Sequence, residues 1–238
     1  MVKKTYENIT AKQLMNRVKE PRMPFDWSIN PYRGCSHGCS FCYARATHTY
    51  LGLNADESFQ NHILLKANAA EALEAQLAKL AVKHQGNLRA VAREVGLVAI
   101  GTATDPYQPV EGKAKLTREC LKVLAKYRIP TSITTRSPLI LRDLDLLRDM
   151  HITSINVSVN TLNTDVYKRL EPATSPPRKR LEVVQRLVEN GLPAGIFIAP
   201  ILPYLTDAAR DLEVLIKTAT EHQAQYAVPS VLRLVPEV

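Results

Sequence analysis

Three of the four cysteines of this 238-residue chain, Cys35, Cys39 and Cys42, fall within eight residues of one another. They lie in the run Asn30-Pro31-Tyr32-Arg33-Gly34-Cys35-Ser36-His37-Gly38-Cys39-Ser40-Phe41-Cys42-Tyr43, spaced C-x3-C-x2-C. Thiols this crowded make a poor disulfide framework and a good metal-ligand set. Gly34 and Gly38 give the loop the tight turns that let three sulfurs converge. Three thiolates can hold three irons of a cubane [4Fe–4S] cluster, whereas electron-transfer clusters take four. The fourth iron then keeps an open position where a substrate can bind and react. A zinc site completed by His37 or His48 is the competing reading. The remaining thiol, Cys120, sits near Leu116, Val123 and Leu124 on the inner face of a predicted helix and reads as a packed core residue.

A reactive loop needs a scaffold. Downstream, short apolar runs alternate with amphipathic helices. Residues 97–101 read as a buried strand, and 115–127 as a helix on Leu116, Cys120, Val123, Leu124 and Tyr127. Residues 130–135 are a β-branched strand. Ser137-Pro138 then supplies an N-cap and a proline at the first helical position, ahead of Ile140, Leu144 and Leu147. Strand 152–159 follows, then a helix over 178–190 stopped by Asn190-Gly191. Strand 194–199, helix 207–222 and an apolar run over 226–234 complete the series. Upstream, a strand near 26–30 precedes a helix over 67–84. The alternation predicts parallel strands with right-handed crossovers. About six units fit this length, where a complete eight-unit barrel takes ~250 residues. The expected fold is therefore α/β, a partial (β/α)6 barrel of TIM type, with functional residues at the C-terminal strand ends. An open doubly wound sheet is the second reading, and the same rule holds there.

Composition narrows the classes. Glycine is scarce, at nine residues, and neither G-x-G-x-x-G nor G-x-x-x-x-G-K-[ST] occurs, which argues against the dinucleotide and P-loop folds built on them. The N-terminal lysines are followed by no apolar h-region, and no window approaches ~20 apolar residues, so neither a secretory signal nor a membrane span is expected. Crowded thiols without a leader suit a reducing cytosol, and a cytoplasmic location is expected. The net charge is +8. Residues 1–24 form a basic arm: Lys3, Lys4, Lys12, Arg17, Lys19 and Arg22 against Glu7 and Glu20. The arm is either a solvated terminus or a set of phosphate contacts. Arg178-Lys179-Arg180 opens a helix and is either helix surface or a second such contact. Neither stretch interleaves aromatics for base stacking.

The cysteine loop after a first strand, followed by βα units, resembles the radical SAM superfamily. More closely, residues 28–236 resemble the spore photoproduct lyase-like group, and within it an uncharacterised bacterial branch. The segments that carry this likeness are Gly101-Thr102-Ala103-Thr104-Asp105-Pro106-Tyr107-Gln108-Pro109, Thr134-Thr135-Arg136-Ser137, Val157-Ser158-Val159-Asn160, Glu171-Pro172-Ala173-Thr174-Ser175 before Arg178-Lys179-Arg180-Leu181-Glu182, and Gly195-Ile196-Phe197-Ile198-Ala199-Pro200. The resemblance implies a [4Fe–4S] cluster on Cys35, Cys39 and Cys42 and S-adenosylmethionine (SAM) at the open iron. An electron donor of flavodoxin or ferredoxin type would reduce the cluster. SAM would then be cleaved to a 5′-deoxyadenosyl radical that abstracts hydrogen from a substrate. The substrate class it implies is a nucleic-acid lesion or nucleotide; a peptide, tRNA or small metabolite is the alternative. A zinc or redox-sensing module without catalysis is the reading of a different class.

Carried over by position, the likeness assigns Arg136 to the SAM carboxylate, Thr104 and Asp105 to its amino group, Ser158 and Asn160 to the ribose, and Phe41 and Ala199 to the adenine. A guanidinium suits a carboxylate, and Ser158 and Asn160, two apart in a strand, share one face. Turn-capping by Asp105 before Pro106 is its competing reading. Tyr43 and Tyr107 are the candidate catalytic relay residues, with Tyr32 beside them; packed aromatics are the alternative for each. The lyase group carries a hydrogen-donating cysteine where Thr102 stands here, and Phe41 replaces one of two tyrosines flanking its third cluster cysteine. Cleavage of spore photoproduct itself is therefore not expected. The domain expected over 25–238 lacks the group's C-terminal extension after Leu232-Arg233-Leu234.

Overall fold

The run Val98-Ala99-Ile100 is buried along its whole length, as a strand covered on both faces must be. In the computed structural model, which describes residues 4–52 and 54–233, it is one of six parallel strands. The first elements are β1 (Thr5–Ile9), β2 (Met15–Arg17), β3 (Trp27–Ile29) and β4 (Tyr32–Arg33). A 3-10 helix (Tyr43–Leu51) and α1 (Ser58–Asn61) lead to β5 (His62–Lys66). Then come α2 (Ala69–Lys83), α3 (Leu88–Val95), β6 (Val98–Ile100), α4 (Glu111–Ala114), α5 (Leu116–Lys126) and β7 (Thr131–Thr135). A 3-10 helix (Pro138–Asp143), α6 (Leu144–Leu147), β8 (Ile152–Ser158), α7 (Thr164–Leu170), α8 (Pro177–Glu189), β9 (Ala194–Ile201), α9 (Ala209–Glu221) and β10 (Ala227–Val231) complete the chain.

The main sheet has the order β10-β9-β8-β7-β6-β3-β2, parallel throughout except for the antiparallel edge pair β2–β3. The parallel strands follow chain order without reversal. An open doubly wound sheet reverses at a switch point, so the second reading falls and the partial (β/α)6 barrel stands. The helices close as their sequences dictate. Ser137 caps its helix by accepting from Leu139 N at 3.3 Å, with Pro138 next in line. Asn163 caps α7, accepting from Asp165 N and Val166 N. One large core joins strands and helices, from Leu14 and Ile29 through Leu73, Leu77 and Cys120 to Leu215; Cys120 is fully buried in it, as expected.

A second sheet, β1-β5-β4, was not legible from the apolar pattern. β1 runs parallel to β5, and β4 pairs with β5 antiparallel. The basic segment read from its charge as an arm therefore supplies β1 to the small sheet and β2 to the edge of the large one. Residues 1–3 of that segment and residues 234–238, including the last residue of the 226–234 run, lie outside the described residues. Among the described residues no helix is long and apolar enough to cross a membrane.

Candidate functional site

The cysteine loop joins β4 to the first 3-10 helix, and its backbone is held from several sides. Cys35 N donates to Phe59 O at 2.9 Å, and Ser40 N to Leu170 O at 2.9 Å. Gly34 adopts φ +79°, and a Cβ there would meet Phe59 O at 2.7 Å and His62 O at 2.9 Å, so only glycine fits. Lys4 Nζ donates to Ser36 O at 3.0 Å, which ties the N-terminal segment to the same loop.

The loop after β6 forms the other side of the clamp. Thr104 Oγ1 donates to Gly34 O at 2.6 Å. Gln108, fully buried, donates through Nε2 to Thr104 Oγ1 at 3.0 Å and accepts Ser36 N through Oε1 at 3.0 Å. Asp105 accepts Tyr107 N at 2.8 Å, Thr135 Oγ1 at 2.7 Å and Arg136 N at 2.7 Å, and its Oδ2 lies 3.3 Å from His37 Nδ1. Thr104 and Asp105, read as contacts to the SAM amino group, are thus engaged in holding the cysteine loop and the strand ends together. Asp105 caps the turn before Pro106, as its competing reading had it. Gln108 carried no sequence signal beyond its place in that loop.

Electrostatics follow the packing. Burial favours the neutral thiols of Cys39 and Cys42 and pushes both upward. Burial acts on Cys35 in the same direction, but the His37 ring beside it outweighs burial and brings that thiol below the ordinary value. His37 is buried too, yet Asp105 and then Cys35 raise it to about 10. Among the described residues no three His, Cys, Asp or Glu side chains converge closely enough to hold a single ion. Tetrahedral zinc, with Zn–S of about 2.3 Å, needs such convergence. The histidines offered as its fourth ligand are placed otherwise: His37 against Asp105, and His48 edge-on to Phe59 with ring centroids 4.9 Å apart. The donor set itself, three cysteines on one loop without a carboxylate, suits three separate irons of a cubane rather than one shared ion.

Opposite the loop, the C-terminal strand ends bring the other expected residues together. The Arg136 guanidinium lies 5.6 Å from the centroid of the Phe41 ring, and its Nη2 donates to Ala199 O at 3.0 Å. Its Nε donates to Glu171 Oε1 at 2.9 Å, an ion pair absent from the motif reading of Arg136. Burial raises the Glu171 carboxyl, but Arg136 and Arg180 outweigh it and hold it below the usual carboxylate range. Arg180, in the run read as helix surface or phosphate contact, is instead 1% exposed. At the end of β8, Ser158 Oγ and both amide atoms of Asn160 are buried without a hydrogen-bond partner among the described residues. Buried polar groups are normally paired, so these three atoms at one strand end are free to pair with a polar ligand. The residues present therefore fit a ligand with a carboxylate and hydroxyls.

The tyrosines separate. Tyr43 is 56% exposed, and its hydroxyl donates to Thr102 O. Tyr107 is fully buried in the main core, and Tyr32 is 1% exposed with its hydroxyl on Glu111. Glu111 in turn pairs with Arg142 at 2.7 Å. Those two are packed aromatics.

A chain of parallel βα units, with a three-cysteine loop at its mouth and unpaired polar groups on the facing strand ends, defines a radical SAM core. The chain belongs to that superfamily: the Radical SAM superfamily family profile matches residues 29–217. It is 32% identical over 216 residues to an uncharacterized protein of Mycobacterium tuberculosis, covering 89% of this chain and 60% of that one. An uncharacterized protein of Methanocaldococcus jannaschii is 30% identical over 199 residues, covering 84% of this chain and 68% of the other. The chain thus spans about three fifths of the length of the mycobacterial relative. Among solved structures, a spore photoproduct lyase mutant with bound AdoMet and dinucleoside spore photoproduct superposes with a TM-score of 0.69 at 17% identity, covering 97% of this chain and 62% of the lyase. Streptococcus suis SuiB bound to S-adenosylmethionine gives 0.58 at 17% identity, covering 88% of this chain and 39% of that one. At these identities the likeness is one of fold.

Proposed function

We propose that this enzyme binds a [4Fe–4S] cluster through Cys35, Cys39 and Cys42 and cleaves SAM reductively beside it to abstract hydrogen from a substrate. The observation that carries the reading is the set of unpartnered Ser158 and Asn160 side-chain atoms, at the same barrel end as Arg136 and the cysteine loop. Bound there, cluster and SAM together supply one-electron cleavage of a sulfonium and a hydrogen-abstracting radical. The chain's own part is placement. Arg136 faces the ligand's carboxylate, Ser158 and Asn160 its ribose hydroxyls, and the Phe41 ring and the strand end at Ala199 its adenine. Thr104, Asp105 and Gln108 hold the thiol loop still. Tyr43, exposed at the mouth beside Thr102, is the proposed relay tyrosine. An electron donor of flavodoxin or ferredoxin type is the proposed reductant, and the cytoplasm the proposed compartment.

For the substrate we propose a nucleic-acid lesion or nucleotide, supported by the +8 charge and by the lyase fold. Anaerobic reconstitution with iron and sulfide, then dithionite and SAM, should release 5′-deoxyadenosine, and Cys39→Ala should lose both cluster and product. An intact cluster with no 5′-deoxyadenosine overturns the reading. Oligonucleotide affinity should fall steeply with salt; no binding at low salt removes the nucleic-acid substrate and leaves a peptide or small metabolite.

A further inference from the structure

Arg180 leaves the first turn of α8 and is among the largest fully buried side chains. Its Nε donates to Ser175 O at 2.7 Å and its Nη1 to Ser158 O at 2.8 Å. Its Nη2 donates to Thr174 Oγ1 and Glu171 Oε2, both at 2.5 Å. Four of its five N–H groups therefore end on protein. Arg136 is the opposite case. Among the described residues two of its five N–H groups are used, on Glu171 and Ala199, and 17% of its side chain is exposed. Glu171 stands between them, one oxygen on each arginine.

Two arginines and one carboxylate sum to +1, and the arginine with unused N–H groups is the one that faces out. Without Arg180, the Glu171 carboxylate would neutralise Arg136 by itself, and the site would lose its excess charge. Arg180 also holds the carbonyl of Ser158, whose own side chain and that of Asn160 await a partner. We infer that Arg180 is a positioning residue for SAM: it balances Glu171 so that Arg136 keeps one positive charge for the ligand's carboxylate, and it fixes the end of β8 for the ligand's hydroxyls. The inference rests on the SAM reading above.

The test is equilibrium dialysis of labelled SAM against anaerobically reconstituted protein, with iron per chain and the thermal midpoint measured on each sample. Arg180→Met should weaken SAM binding about tenfold or more with iron content unchanged. The double variant Arg180→Met with Glu171→Gln restores +1 on Arg136, so it should bind SAM several-fold more tightly than Arg180→Met alone; a residue needed only for packing would make the pair at least as poor. Arg180→Lys, which keeps the charge and loses the fork, should fall between wild type and Arg180→Met. Should Arg180→Met fail to fold, the double variant and Arg180→Lys carry the test: with full iron in both, each should bind SAM measurably though more weakly than wild type, and loss of SAM binding in the double variant counts against charge balance. Wild-type affinity in Arg180→Met, or a double variant with full iron and no recovery, overturns the inference. Wild-type protein that holds its cluster and binds no SAM overturns the SAM reading itself, and this inference with it.

Discussion

Gly34→Ala should detach cluster assembly from folding. Gly34 sits at φ +79°, where an L side chain costs about 1–2 kcal/mol. An added Cβ would also lie 2.7 Å from Phe59 O and 2.9 Å from His62 O. Carbon–oxygen contacts normally stand at about 3.3 Å or more, so the loop must shift by roughly half an ångström. Both oxygens belong to backbone, Phe59 in α1 and His62 at the start of β5, and cannot rotate away as a side chain would. Overpacking of this kind adds about 1–3 kcal/mol, for a sum of about 2–5 kcal/mol. Gly86→Ala is the control: φ is +80° and nothing lies within 4 Å, so only the backbone strain remains. For a domain of this length each kcal/mol moves the melting temperature by about 2–4 °C. Iron and acid-labile sulfide per chain should fall by at least half in Gly34→Ala and stay at wild-type level in Gly86→Ala. The far-ultraviolet circular dichroism of the sheet and helices should survive in both. A Gly34→Ala protein with full iron content, melting no lower than Gly86→Ala, would refute the reasoning.

Other perturbations follow from the same geometry. Gln108→Leu leaves Ser36 N without its acceptor, which should cost about 1–3 kcal/mol and lower iron retention under chelator challenge. Asn160→Leu removes a buried amide with no partner among the described residues, so the SAM-free protein should melt higher while SAM binding is lost; unchanged SAM affinity by dialysis would count against the site. Lys66 is buried with Nζ on Asn30 O, and burial lowers it from 10.5 to about 8. The unfolded chain then binds the extra proton between those values, so stability should rise as pH goes from about 8 to 10.5, and the full cost, about 3 kcal/mol, is present below pH 8. Urea titrations across that range should show the rise in wild type and a flat, higher line in Lys66→Met.

The six parallel strands and helices α2, α5, α8 and α9 were legible because each is an apolar run or an amphipathic repeat that declares itself locally; α3 and α7 went unanticipated, and the helix expected after Ser137-Pro138 is a 3-10 turn followed by the short α6. The small sheet was not legible. β1 is exposed along most of Thr5–Ile9, and β4, though its Tyr32 is buried, is only two residues long, so neither offers a periodic face for a pattern to reveal; the buried run of β5 by itself does not show its partners. The cysteines stand out because spacing alone is informative. The duties of Thr104 and Asp105 could not, since hydrogen bonds to Gly34, Thr135 and His37 depend on which loops meet in space. Arg180 was misread for a related reason: three consecutive basic residues look solvated, yet a helix turns the third toward the barrel.

β1 precedes the cysteine loop, but its partner β5 is the strand that follows it. During synthesis β1 therefore waits unpaired until Cys35, Cys39 and Cys42 have all been added to the chain. Pairing then fastens the loop's exit to β1, and Lys4 beside it reaches Ser36. The N-terminal residues act as a latch that can shut only after the cysteines are in place. An affinity tag fused ahead of β1 would thus be expected to disturb iron loading sooner than one placed after β10.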